Sequence, residues 1–332
     1  MKDQAILKVE NLKTYFPVRR NFVKTIFSRK KREYVRAVDD VSFNVGEGDI
    51  LGIVGESGCG KSTMGRTILR LVEPTAGKIY YEDIDVTSLK RRAMRRLRRK
   101  MQMIFQDPHG SLNPRRTVAD ILRQSVRIHR LADGKAEEDA MIKNTLEEVG
   151  LKPPEEFWNR YPVLLSGGQR QRVGVGRILI LQPKLVVADE PISMLDVSVR
   201  MGIIELLAQL REKFGISLIY ITHDLATARY ICDRIAIMYL GKIVEIAPTE
   251  DLLKTPLHPY AQALIAAVPV PDPRVEMKEL PIIGYVPLIP SDVYTSCRFY
   301  PRCPYADKEC REQDPPLIEV SPGHSVACIK AK

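Results

Sequence analysis

Long apolar runs are missing from this chain. Stretches such as "ILILQPKLVVA" and "ALIAAVPV" are short or interrupted. Nothing approaches the roughly 18 apolar residues of a membrane-spanning helix. A basic-then-apolar leader is missing too: "MKDQAILKVENL" reads directly as a strand, so the chain is expected to stay in the cytoplasm. No solenoid repeat or low-complexity tract occurs. The six cysteines include no C-x-x-C pair of the zinc-ribbon kind. The basic stretch "KRRAMRRLRRK" has no interleaved aromatic residues on which bases could stack, which argues against nucleic acid as a partner.

What is present supports a folded α/β protein. The chain has 332 residues, 45% of them hydrophobic, enough for one large domain and a smaller one. Its net charge of +10 is concentrated in two blocks, residues 19–32 and 90–100. Each block is either a solvated face or a contact with something acidic.

Strand-like alternation marks "ILKVENL" and "AVDDVSFNV", and the fully apolar "ILGIVG" suits a strand buried on both faces. Helical spacing follows in "MGRTILRLV", then the strand "GKIYY". Residues 117–165 read as helices, notably "TVADILRQSVRIH" and "AEEDAMIKNTLEEVG". From "KLVVADE" onward strand and helix alternate, which predicts a parallel sheet covered on both faces. Beyond residue 248 proline becomes frequent, and a separate, loop-rich appendage is expected.

"GESGCGKST" fits G-x-x-x-x-G-K-[ST] and lies between a predicted strand and a predicted helix. Gly55, Ser57, Gly58, Cys59, Gly60, Lys61, Ser62 and Thr63 are the candidate nucleotide-binding residues. The loop's N–H groups and the helix dipole suit phosphate; Lys61 is expected at the β- and γ-phosphates and Ser62 at Mg²⁺. Cys59 is read as a small filler rather than a nucleophile. Asp189 ends the apolar strand "LVVAD", placed to hold the magnesium shell, and Glu190 follows as candidate base for an attacking water. The chain is thus expected to bind and hydrolyse a nucleoside triphosphate. A second anion-binding loop, "VLLSGGQRQR", precedes Asp189.

"LSGGQ" resembles the signature sequence of ATP-binding-cassette (ABC) ATPases. "MIFQDP", "SMLD" and "ITHD" are similar to the family's Q-loop, D-loop and switch-histidine segments, all in the family's order. The resemblance implies an α/β fold: a RecA-like parallel-sheet core, an antiparallel β subdomain, a helical signature subdomain at about 107–170, and a small Cys/Pro-rich extension. The cassette is expected at residues 1–248 and the extension at 249–332.

It also implies roles: Gln106, the Q-loop glutamine, as a catalytic residue and a ligand of Mg²⁺, His223 as the catalytic switch histidine, and Phe16 stacked on adenine, with Tyr15 as fallback. Ser166, Gly167, Gly168 and Gln169 are then expected on the ATP of a partner cassette. Two departures from the family are Gly176, where alanine is usual, and Met194 in the D-loop.

Further segments, "QDPHGSLNPRRTV", "PLHPYAQALIAAVPVPDP" and "CRFYPRCPYADKEC", look like the ATPase subunits of oligopeptide and dipeptide permeases. That likeness implies a peripheral ATPase on the cytoplasmic face of the membrane. Its expected partners are a second ATPase subunit, a sister rather than itself, two permease subunits and an extracytoplasmic substrate-binding protein. Relatives of this architecture also import oligosaccharides. A DNA-associated ABC ATPase is the alternative of another class, but such proteins carry long coiled coils or two cassettes, and neither occurs here.

Cys297, Cys303, Cys310 and Cys328 lie in the tail with spacing C-x5-C-x6-C-x17-C. Thiolates in a reducing compartment suggest metal. The resemblance implies a four-iron, four-sulfur cluster, with zinc or bare thiols as alternatives. For the block at 19–32, which includes Phe22, Ile26 and Phe27, contact with anionic lipid or permease is expected.

Overall fold

The computed structural model describes residues 5–18, 33–268, 282–283 and 293–331. The block at 19–32 lies outside them. Two compact units emerge, each interleaved along the chain: one includes Val45–Ile50 and Ser88–Thr222, the other Leu7–Asn44, Leu51–Thr87 and His223 onward.

In the second unit, β1 (Ala5–Pro17) and β2 (Tyr34–Gly46) belong to a four-stranded sheet ordered β2-β1-β4-β5. Here β4 is Ala76–Tyr81, antiparallel to β1 with Leu7 opposite Tyr81 and Val9 opposite Ile79, and β5 is Ile84–Asp85. The alternation read in the sequence places Leu7, Val9 and Leu12 inside.

β3 (Ile50–Val54) is buried throughout; helix α1 (Lys61–Ile68) follows it across the glycine loop. Through Leu51 to Val54 it runs parallel to β9 (Arg234–Tyr239), with Leu51 opposite Arg234. β10 (Lys242–Pro248) returns antiparallel to β9.

The first unit contains α2 (Arg91–Leu97), α3 (Pro108–Ser111), α4 (Val118–His129), α5 (Lys135–Glu148), α6 (Pro154–Trp158), α7 (Gly167–Leu179) and α8 (Val197–Phe214). In α2, Met94 and Leu97 are buried while the arginines face solvent. Strands β6 (Met101–Ile104), β7 (Leu185–Asp189) and β8 (Ser217–Thr222) run parallel, Met101 opposite Leu185 and Asp189 opposite Ile221. Every residue of β7 and β8 is buried, as expected of parallel strands covered on both faces.

Gly176 sits inside α7 where a Cβ would lie 3.3 Å from the Thr145 methyl and 3.6 Å from Val149. An alanine there would press on α5 and need the Thr145 methyl to give by a few tenths of an ångström.

Helix α9 (Leu225–Ile231) lies between β8 and β9, and the tail beyond residue 248 has elements of its own: α10 (Thr249–Lys254), α11 (Pro259–Ala266), α12 (Lys308–Glu312), and strands β11 (Ile318–Ser321) and β12 (His324–Val326). The expectation of a separate appendage is thereby revised. β12 adds to β10, Glu245 opposite Val326, and covers a strand edge that would otherwise expose unpaired backbone. Buried Glu245 accepts hydrogen bonds from the N–H groups of Leu257 (2.9 Å) and His258 (2.7 Å), and pairs with His324 Nε2 at 2.8 Å. Among the described residues no helix is long and apolar enough to cross a membrane.

Candidate functional site: a phosphate loop and a catalytic carboxylate

The loop between β3 and α1 turns on Gly60, whose φ of 108° is open to glycine and costly for other residues. A Cβ there would also strike the Ala37 carbonyl at 1.9 Å. This turn aims the start of α1 at the loop. Lys61 is buried, and its Nζ donates to the carbonyls of Gly55 (2.7 Å) and Glu56 (2.9 Å). A helix N-terminus carrying a lysine is an anion-binding site. Ser62 and Thr63 are half-buried on its first turn. Burial pushes the Cys59 thiol up, against the pull of Lys61, so it stays protonated and fills space.

Ahead of the loop, Phe16 is exposed on β1, available to stack on a flat ring. Tyr15 is committed elsewhere: burial and its bond to Asp39 push its phenol up, and the hydroxyl donates to that carboxylate. Phe16 therefore stands ahead of the fallback. His223 follows β8 and is exposed; the next residue, Asp224, caps α9 by accepting from Ala226 N at 2.9 Å.

In the other unit, Asp189 ends β7 fully buried and Glu190 follows. Glu190 has φ 45°, a left-handed conformation that a non-glycine residue holds only against strain. Its N–H donates to Ile221 O at 2.9 Å, and Ser193 Oγ donates to its carbonyl at 3.1 Å. Gln106, just beyond β6, donates from Nε2 to Glu190 Oε2 at 3.0 Å. The structure thus brings Gln106 and Glu190 together, 84 residues apart. A carboxylate so fixed can orient and deprotonate water.

The signature loop opens α7. Ser166 Oγ accepts from Gln169 N at 3.3 Å and Gln169 Oε1 accepts from Ser166 N at 3.0 Å, a capping box. Ser166 is exposed and Gly168 buried. Val163 and Leu164 before it are about two-thirds exposed at 68% and 67%, and Met194 of the D-loop is exposed at 64%.

Cys297 and Cys310 are bridged through the backbone, Cys297 N to Cys310 O at 3.0 Å. Burial, reinforced by the other three cysteines, pushes the Cys297 thiol up to about 12, and burial also raises Cys303 and Cys310. All four are free cysteines. Among the described residues, no three His, Cys, Asp or Glu side chains are grouped to hold a metal ion, so the thiols as arranged do not fit the cluster. One functional feature went unread in the sequence: Tyr260 and Arg302 of the tail both bond Glu56 in the phosphate loop.

Comparison with known proteins agrees with this geometry. The family described as "ABC transporter" matches residues 38–193, and "Oligopeptide/dipeptide transporter, C-terminal region" matches 244–310. The probable peptide ABC transporter ATP-binding protein y4tS of Sinorhizobium fredii is 46% identical over 98% of this chain and 89% of its own length. The oligopeptide transport ATP-binding protein AppF of Bacillus subtilis is 44% identical over 98% of this chain and 97% of its own.

Among solved structures, the dimeric post-hydrolysis ATP-binding cassette MJ0796, bound to ADP and Pi, superposes with a TM-score of 0.63. It is 29% identical, covering 73% of this chain and 98% of that one. The cbiO1 protein of Clostridium perfringens shares the fold at a TM-score of 0.63, over 76% of this chain and 92% of that one. The chain belongs to the ATP-binding subunits of ABC transporters and is an ATPase of that family.

Proposed function

We propose that this chain is the ATP-hydrolysing subunit of an importer for di- and oligopeptides. The likeness to peptide transport ATP-binding proteins runs nearly end to end and includes the tail, which supports a peptide cargo. Lys61 and the N–H groups around it take the phosphates of one ATP, with Phe16 on its base. Ser62, Asp189 and Gln106 offer the hydroxyl, carboxylate and amide oxygens that suit Mg²⁺, which when bound neutralises charge on the transferring phosphoryl group. The single observation that carries hydrolysis is Glu190, held by Gln106 and poised to take a proton from water. His223 is assigned the catalytic role of the switch histidine on the family's pattern.

Ser166, Gly167, Gly168 and Gln169 serve the ATP of a second ATPase subunit, a sister chain, since one chain needs one such loop for its own nucleotide. Two permease subunits and a substrate-binding protein complete the importer, and the chain sits peripherally at the cytoplasmic face. Contact of residues 19–32 with anionic lipid remains part of this proposal. The iron–sulfur cluster implied by the likeness of the tail is not part of this reading, since the thiols as arranged do not fit it; iron and brown colour in anaerobically purified protein would restore it.

Co-purification with the permease and binding protein, followed by identification of the ligand on the latter, tests the cargo. A peptide is expected; an oligosaccharide overturns it. Full ATP turnover by a dilute, strictly monomeric preparation would refute the shared site.

A further inference from the structure

Glu56 puts a negative charge inside a loop read as binding phosphate. Its carboxylate stands one residue after Gly55, where the charge of an incoming polyphosphate makes another anion unwelcome. The structure answers this with the tail. Arg302 donates to both carboxylate oxygens, from Nη1 at 2.9 Å and Nη2 at 3.1 Å, a two-pronged contact that neutralises the charge and fixes its direction. Glu56 N donates to Tyr260 Oη at 3.0 Å, and Glu56 O accepts from Lys61 at 2.9 Å. Every polar group of Glu56 is thus bonded, two of the three to residues downstream of the cassette.

The support beneath is rigid. Arg302 is nearly buried and packs by Tyr239 and Phe299; Tyr239 lies 4.6 Å from Tyr260 and 5.3 Å from Phe299, centroid to centroid. A second brace reaches the same loop. Arg298 donates to Leu240 O and to Asp39, and the adjoining Gly241 N donates to Cys59 O at 2.8 Å. Asp39 holds the Tyr15 hydroxyl, next to Phe16. Both arginines come from one short segment, "CRFYPRC", and all these residues belong to one compact unit.

We infer that Arg302 and Tyr260 of the C-terminal extension are positioning residues for ATP, holding Glu56 so that the phosphate loop keeps its binding shape and its charge stays masked. The tail is therefore part of the nucleotide site's scaffold, acting on affinity rather than on the chemical step. This rests on the reading of residues 55–63 as the ATP loop.

The test measures MgATP binding and the KM and kcat of ATP hydrolysis in the full chain. Arg302→Ala is expected to weaken MgATP binding about tenfold, with kcat at saturating ATP changed less than about twofold. Glu56→Gln should weaken it similarly, Arg302→Lys should recover part of the loss, and the double variant Glu56→Gln with Arg302→Ala should be no worse than either alone. His324→Gln, which keeps a side-chain N–H for Glu245 while altering the tail away from the loop, is the control and should leave affinity unchanged.

If Arg302→Ala and Glu56→Gln both bind MgATP as wild type while Lys61→Ala has lost it, the inference is overturned and the loop reading stands. If Lys61→Ala itself binds as wild type, the loop reading fails first. A loss in His324→Gln equal to that in Arg302→Ala reduces the effect to general loosening and also overturns the inference. Should Arg302→Ala not fold, Glu56→Gln decides alone, since it leaves the tail's sequence intact.

Discussion

Two loops in this chain open helices with glycine-rich turns, and they are furnished differently. The loop before α1 has no side-chain cap, holds its own buried lysine, and is braced from the tail by Tyr260 and Arg302. The loop before α7 is closed by its own Ser166 and Gln169, and its nearby Arg170 is turned onto the carbonyls of Pro162 and Leu165. Exposed Val163 and Leu164 flank it. Glycine content does not decide what a helix start binds; the cation beside it and the surface around it do. That difference is what the proposed division of labour requires, with the first loop holding the chain's own nucleotide and the second meeting another molecule's.

The comparison can be broken most forcefully at Glu190. Glu190→Gln should cut ATP turnover by about 10² to 10⁴ while MgATP binding persists and the closed pair accumulates. Lost binding, read by equilibrium titration, would mean that the carboxylate serves the ligand rather than the reaction. Next comes the second loop itself. Ser166→Glu is expected to reduce turnover on the order of a hundredfold by placing an anion against the partner's phosphate, with the chain's own MgATP affinity unchanged. An affinity loss in the isolated chain would erase the distinction between the loops.

A smaller effect sharpens the brace beneath the first loop. His258 is fully buried, and burial pushes its imidazole down to about 3; its Nδ1 accepts from Tyr260 N at 3.0 Å. The unfolded chain protonates this residue below about 6.5, the folded chain not until about 3, so stability falls as pH drops through that window. By pH 5 the loss relative to neutral pH should be about 2 kcal/mol, and His258→Asn should flatten it in urea titrations at pH about 5 and about 7. The smallest effect concerns the helix that the second loop opens. Gly176→Ala gains helix propensity of about 1 kcal/mol, but the Thr145 methyl is pinned by the bond from Thr145 Oγ1 to Met141 O at 2.8 Å. A net stabilisation below about 0.5 kcal/mol is expected in thermal melts.

Much of the first loop was legible because its chemistry is local: nine consecutive residues carry the glycines, the lysine and the hydroxyls. The apolar runs at 50–54, 185–189 and 217–222 likewise declared buried strands. The second loop was legible as a serine and two glycines ahead of a basic helix, but the capping box between Ser166 and Gln169 was not read, although their three-residue spacing could have shown it. What could not be read are contacts made by tertiary return of the chain. Arg302 meets Glu56 across 246 residues, and nothing in "CRFYPRC" says which carboxylate its arginines seek. The cysteines in the same stretch drew attention to metal, because thiol spacing is conspicuous and a buried arginine is not. Likewise a run of prolines read as loops, although one strand of that tail completes a sheet.

Glu245 has a temporal consequence. Its buried carboxylate is complete only when His324 arrives from β12, near the end of the polypeptide. Until translation has passed that histidine, the carboxylate has only the N–H groups of Leu257 and His258, and a buried charge without its full set of partners disfavours compaction. Chains truncated between β10 and β12 should then be prone to misfold, and the fold closes only once the ribosome has passed His324.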